Sequence, residues 1–150
     1  MTEEQAQKTE TDDLLQRLDA ARLGLVEALE ASDHESFARV DSDGESIKRV
    51  TERMVDDVNF YFARLASRAL NLPQPPDLVR ADLGSLREAV MALHVAHRSF
   101  GTLLHDLLPP DLEKKAADPE LGSYTLRQVL ELAAAQYSQR AQEVRRLASA

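Results

Sequence analysis

All six prolines of this chain fall in three places: Pro73, Pro75 and Pro76; Pro109 and Pro110; and Pro119. Inside a helix, proline removes a hydrogen bond and clashes with the preceding turn. The clusters are therefore connections. The segments between them are long, and their apolar residues recur at spacings of three and four, the period of an amphipathic helix. No strand-like alternation of useful length accompanies them, and no repeat of solenoid length. This punctuation implies an all-α chain, with four helices and three connections forming a four-helix bundle.

The first helix is expected over 12–32. Leu14, Leu18, Ala21, Leu25, Ala28 and Leu29 form its stripe, and Asp12 and Asp13 suit the positive end of its dipole. Residues 1–11, acidic and polar, read as a flexible start, which leaves 12–150 as a single domain. The stretch DHESFARVDSDGE (33–45) is turn-forming, with Phe37 and Val40 as its anchors on the bundle. Ser46 is a suitable N-cap for the second helix, which carries Ile47, Val50, Met54, Val58, Tyr61, Leu65 and Ala69 inward, with Phe62 widening that face, and ends near Asn71.

NLPQPPDLVRAD (71–82) is extended by its prolines, because the residue before a proline avoids helical angles. Twelve extended residues span roughly 36–40 Å, about the length of a helix of some 25 residues. The third helix is therefore free to start at either end of the second. Asp82 is its expected cap, and Leu86, Val90, Leu93, His97, Phe100, Leu104 and Leu107 form a heptad-like seam. Thr125, with Gln128 three residues on, is a capping box for the fourth helix. That helix turns Leu126, Leu130, Ala133, Tyr137, Arg140, Val144 and Leu147 inward.

The composition narrows what such a bundle does. The net charge of −8 disfavours nucleic acid, which needs a concentrated basic face, and disfavours an anionic membrane surface. With no cysteine there is no disulfide, no thiolate ligand and no cysteine nucleophile. No apolar run is long enough to span a bilayer. The polar, acidic start is unlike a secretion signal, which points to a cytoplasmic protein.

Two stretches carry a resemblance. SIKRVTERMVDDVNFYFARL (46–65) resembles the second-helix signature of the DinB/YfiT-like superfamily, in which a Ser-initiated helix carries a histidine seven residues on, followed by a hydrophobic pair and an acidic residue. Met54, Val55 and Asp56 match that sequel, and Arg53 stands in place of the histidine. DPELGSYTLRQVLE (118–131) is similar to the family's lead into its last helix, where two histidines four apart follow. Gln136 and Arg140 stand in those two places. The resemblance implies an up-down-down-up bundle and frequent homodimerisation. Members with three histidines bind a divalent metal, and some are thiol-dependent transferases or isomerases.

None of the three positions holds a good ligand here. A protonated guanidinium has no lone pair to offer a metal, and the Gln136 carbonyl is a weak ligand for zinc or nickel. Neither the family metal nor any other cofactor is therefore expected. On a helical wheel Arg140 lies about 40° from the centre of its apolar arc and Gln136 at about 80°, while Arg53 lies about 120° out on its own helix. Three readings apply to the arginines. They form an ion-pair network with Asp57 in place of the metal, they bind a carboxylate or phosphate, or they snorkel to water. The ion pair and snorkelling are preferred over the anion site.

His97, at the centre of the third-helix seam, invites an acid–base or metal role. A histidine in such a place is more commonly a core residue bonded to a neighbouring helix. His94 and His97, three apart, are the alternative metal pair, and Tyr137 with Asp57 and His97 completes the candidate polar set of the cleft. The leading expectation is a metal-free, degenerate DinB-like binding or interaction protein, homodimeric, with a small-molecule ligand as a second kind of partner. The alternative is a thiol-dependent transferase or isomerase, or a metal-dependent hydrolase, using ligands outside the family set.

Overall fold

The computed structural model describes residues 3–149, with side chains from Glu10 onward. The chain is mostly helical. Helix α1 spans Glu3–Glu30 and the short α2 His34–Ala38. Helix α3 (Ile47–Asp56) passes into a π-helical stretch (Asp57–Phe62) and then α4 (Ala63–Ala69). Helix α5 covers Leu86–Leu103, a 3-10 turn covers Pro109–Glu113, strands β1 and β2 cover Lys115–Asp118 and Gly122–Thr125, and α6 covers Leu126–Ser149.

Local chemistry places most of the boundaries. The Ser46 hydroxyl accepts from the N–H of Arg49 at 3.1 Å and starts α3. Thr125 and Gln128 form both bonds of a capping box. Gln128 accepts from the Thr125 N–H at 2.9 Å, and Thr125 accepts from the Gln128 N–H at 3.1 Å. Helix α4 ends in a left-handed turn at Asn71, φ +55°. There the N–H of Leu72 returns to Ser67 O at 2.8 Å and that of Asn71 to Arg68 O at 3.2 Å, the hydrogen-bond pair of a Schellman motif.

The core is aliphatic and aromatic. Leu25, Leu29, Ile47, Met54, Leu93 and Phe100 are among its fully buried side chains, and each contributes about 1.5–3 kcal/mol by leaving water. Helix α6 lies along α1 and also touches α3. Helix α5 touches α3 and α1, and the hairpin packs on α4. The proline-rich linker runs back along α3. The Ala81 N–H donates to Asp56 at 2.9 Å, the Leu83 N–H donates to Glu52 at 2.8 Å, and Lys48 pairs with Asp82 at 2.9 Å. Helix α5 thus begins beside the first turn of α3.

Several expectations change. Helix α1 begins by Glu3, not near Asp12, and residues 1 and 2 lie outside the described residues. Nothing in EEQAQKTE breaks a helix, and farther along Asp13 pairs with Arg17 at 3.0 Å one turn on. Val40 is 56% exposed and is no anchor, whereas Phe37 is buried. Helix α5 is capped by Ser85, which accepts from the Glu88 N–H at 3.2 Å, because Lys48 draws Asp82 away. The buried face of α5 is turned towards Ala89 and Ala96, leaving Val90 and His97 half-buried. Of the two aromatic residues expected inward here, Phe62 is buried and Tyr61 is only partly buried against the core.

The hairpin is the largest departure. Strand β1 alternates in burial, with Ala116 and Asp118 inside, but its sequence KAAD carries no matching apolar–polar alternation. Asp118 organises their turn, its Oδ1 accepting from the N–H groups of Glu120 (2.9 Å) and Leu121 (3.1 Å). Its other oxygen pairs with Arg68 at 3.1 Å, which ties the hairpin to α4. Gly122 supplies φ +97°.

Candidate functional site

Two polar clusters sit among these helices. The first lies where α6 faces α3 and the π-helical stretch. Arg140 directs Nη2 towards Asp57 Oδ2 at 3.9 Å and Nη1 towards Glu143 at 3.4 Å, with only 18% of its side chain exposed. Its Nε is buried and has no hydrogen-bond acceptor among the described residues. Arg53 meets Glu45 with a two-pronged contact, Nη1 to Oε1 at 3.1 Å and Nη2 on Oε2. That geometry suits the guanidinium fork. Gln136 is half-buried one turn before Arg140 on α6.

The charges of this cluster answer one another. Contact with Arg53 holds the Glu45 carboxyl below its usual range, and Arg140 adds to the effect. Asp57 goes the other way. Burial pushes its carboxyl up, against the pull of Arg140 and Arg53. Three carboxylates, Glu45, Asp57 and Glu143, thus face two guanidiniums. An added anion would meet that surplus of negative charge, so the geometry favours an internal network over an anion site.

The second cluster bridges α1, α5 and α6. Nδ1 of His97 lies 3.1 Å from the Tyr137 hydroxyl, and Nε2 lies 3.5 Å from Asp19 Oδ1. An ionised carboxylate only accepts, so Nε2 carries the proton and Nδ1 accepts from the tyrosine O–H. Arg22 in turn donates to Asp19 at 2.8 Å, and this contact leads in holding the Asp19 carboxyl below its usual range. Burial, and then Arg22, push His97 down to about 4, outweighing the opposite pull of Asp19. The ring is therefore neutral at pH 7. Tyr137 is fully buried, and burial raises its hydroxyl's pKa.

Compared with protein-family models, with curated proteins and with solved structures, the chain has no match. The site therefore has to be read from its own geometry. Among the described residues, no three histidine, aspartate or glutamate side chains converge as a set able to hold a metal ion. Both ring nitrogens of His97 already face other groups, and His94 is exposed, on the rim of a groove between α1 and α5.

The residues singled out from sequence divide between the clusters. Arg53, Asp57 and Arg140 belong to the first, and His97 and Tyr137 to the second. Sequence reasoning missed the partners Glu45, Glu143, Asp19 and Arg22. Two of these had a legible signal, since Glu143 lies three residues after Arg140 and Arg22 three after Asp19, one helical turn in each case. Glu45 and Asp19 come to their partners only through the folded chain.

A third polar contact joins the π-helical stretch to β2. The Tyr61 and Tyr124 hydroxyls are 3.4 Å apart. Burial leads in pushing Tyr61 up to about 12, with the Tyr124 bond and nearby Asp57 adding to it.

Proposed function

We propose that this chain is a four-helix bundle of the DinB/YfiT-like kind in which ion pairs stand where such proteins hold a divalent metal. It acts as a binding or interaction protein, cytoplasmic and homodimeric, without a resident metal. Four long helical segments in contact in the order α1, α6, α3–α4 and α5 support the bundle reading. An up-down-down-up course is supported by three sets of anchors. The Lys48–Asp82 pair sets the start of α5 beside the start of α3. Arg146 on Asp41 and Arg39 on Leu147 O set the end of α6 there as well. Arg127 on Glu10 sets the start of α6 beside α1.

The observation that carries the functional reading is Arg140. Its guanidinium lies half-buried beside Asp57 and Glu143, so a permanent positive charge occupies the region where a cation would sit. An arginine there both repels a metal ion and offers it no lone pair. An enzymatic role for His97 would need a ring nitrogen open to substrate, and both face protein groups. That favours the binding role over the transferase or isomerase alternative.

Metal analysis of the purified, dialysed protein tests this. The expected result is zinc and nickel far below one equivalent per chain. Stoichiometric metal, lost in His94→Ala or His97→Ala, would mean that relocated ligands do the family's work. Light scattering on the same sample tests the homodimer, and a monomer at working concentration would remove that part.

A further inference from the structure

Two neighbouring helices carry exposed apolar side chains. Leu23 of α1 is 43% exposed, and Met91 and Val95 of α5 are 57% and 55% exposed. The other exposed large apolar side chains among the described residues lie on connections between helices. Between α1 and α5 runs a groove with Val26 and Leu29 on one bank and Leu86, Val90 and Met91 on the other. Leu23 lies one turn before Val26, and Val95 one turn after Met91, so they widen this apolar strip. A contiguous strip of this kind marks a contact surface.

The charges on the groove are balanced. Arg22 is held by Asp19 at 2.8 Å. That leaves Glu30 of α1 and Arg87 of α5, both exposed on the lining. Neither has an ion-pair partner among the described residues. The two helices run in opposite directions, since Asp19 meets His97 at one end of the pair and Glu30 and Arg87 line the groove at the other. The free acid and the free base thus sit on opposite banks at the same end. The whole chain carries a net charge of −8, which opposes contact between two copies except through a face that is locally neutral.

We infer that this face is where a second copy of the chain docks. A two-fold axis along the groove makes the contact isologous and lays α1 of each copy on α5 of the other. The apolar strips then cover each other, and Glu30 of each copy meets Arg87 of the other. An axis across the groove would instead carry Arg87 to the His97 end of the other copy, away from Glu30. The inference gives the homodimer put forward above its surface and rests on that reading, but it does not involve the Arg140 cluster.

Sedimentation equilibrium of the full chain tests it. The natural chain should be a dimer. Arg87→Glu alone, or Glu30→Arg alone, sets like charges together at two places in that dimer and should raise its dissociation constant about tenfold or more. The double reversal, Glu30→Arg with Arg87→Glu, remakes both pairs with the signs exchanged and should bring the constant back to within about threefold of the natural value. Met91→Glu puts a carboxylate into the apolar strip and should give a monomer with its helical circular dichroism unchanged. A dimer that tolerates Met91→Glu or either single reversal puts the contact on another face and leaves the homodimer standing. So does a double reversal as weak as the single ones. A monomeric natural chain overturns the surface and the homodimer together.

Discussion

Arg140 of α6 and Asp57 of the π-helical stretch face each other with Nη2 and Oδ2 3.9 Å apart. The contact is long, and Asp57 keeps 41% of its side chain exposed, so the pair acts through field more than through a bond. Burial raises the Asp57 pKa and Arg140 lowers it, with burial ahead. The folded chain therefore holds the Asp57 proton more readily than the unfolded chain. This group favours folding at low pH, and the advantage disappears as pH rises through its folded pKa.

Removing the arginine charge should push that carboxyl higher. Arg140→Met keeps an apolar stem of similar length and deletes the cation. A carboxylate titration followed by carbon NMR should show the Asp57 pKa rising in the variant. An unchanged value would mean that the two groups are not coupled.

His97 should make the protein acid-sensitive in a defined window. Its folded pKa is about 4, against about 6.5 for an unperturbed histidine. Between those values the unfolded chain takes up a proton that the folded chain refuses, so stability falls as pH drops from about 6.5 to about 4. The full loss is on the order of 3 kcal/mol. Urea unfolding at several pH values checks this, because His97→Gln should flatten the wild-type slope across that window.

Tyr137→Phe removes the donor on which Nδ1 of His97 rests. An orphaned acceptor at a largely buried ring costs about 1–3 kcal/mol. Equilibrium unfolding should show a destabilisation of that size. A neutral substitution would mean that the hydroxyl and the ring are not bonded.

How much of this was legible in the sequence depends on how local each cause is. Ser46 and the Thr125–Gln128 box act within one turn, so their signals were readable and the structure has both. The cap of α5 was misplaced because Lys48, 34 residues away in sequence, takes Asp82. The hairpin escaped because its stability comes from Asp118 holding its own turn and Arg68, not from alternation along four-residue strands. Phe62, four residues after buried Val58, keeps the helical period that the sequence shows, while Tyr61 beside it is only partly buried against the core. Arg140 was correctly turned towards the interior by its place on α6, while its partner Glu143 waited in plain view one turn on. His97 met Asp19 only through tertiary packing.

Asn71 carries the left-handed turn that ends α4, with φ +55°. Asn71→Ala should cost about 1–2 kcal/mol, the usual penalty for a Cβ in that region without a compensating amide. Asn71→Gly should be close to neutral. Thermal unfolding of the two variants side by side distinguishes a backbone requirement from a side-chain one, since a backbone requirement predicts that only alanine hurts.

The proposed kinship would put Arg53, Gln136 and Arg140 where a metal site lies, with the Arg53–Glu45 and Arg140–Asp57–Glu143 pairs in its place. The most direct measurement is metal stoichiometry after loading and dialysis, comparing the natural chain with a variant carrying Arg53→His, Gln136→His and Arg140→His together. The account predicts one equivalent of zinc or nickel in the triple variant and essentially none in the natural chain. A folded triple variant that retains no metal, or a natural chain that retains a full equivalent, would contradict it.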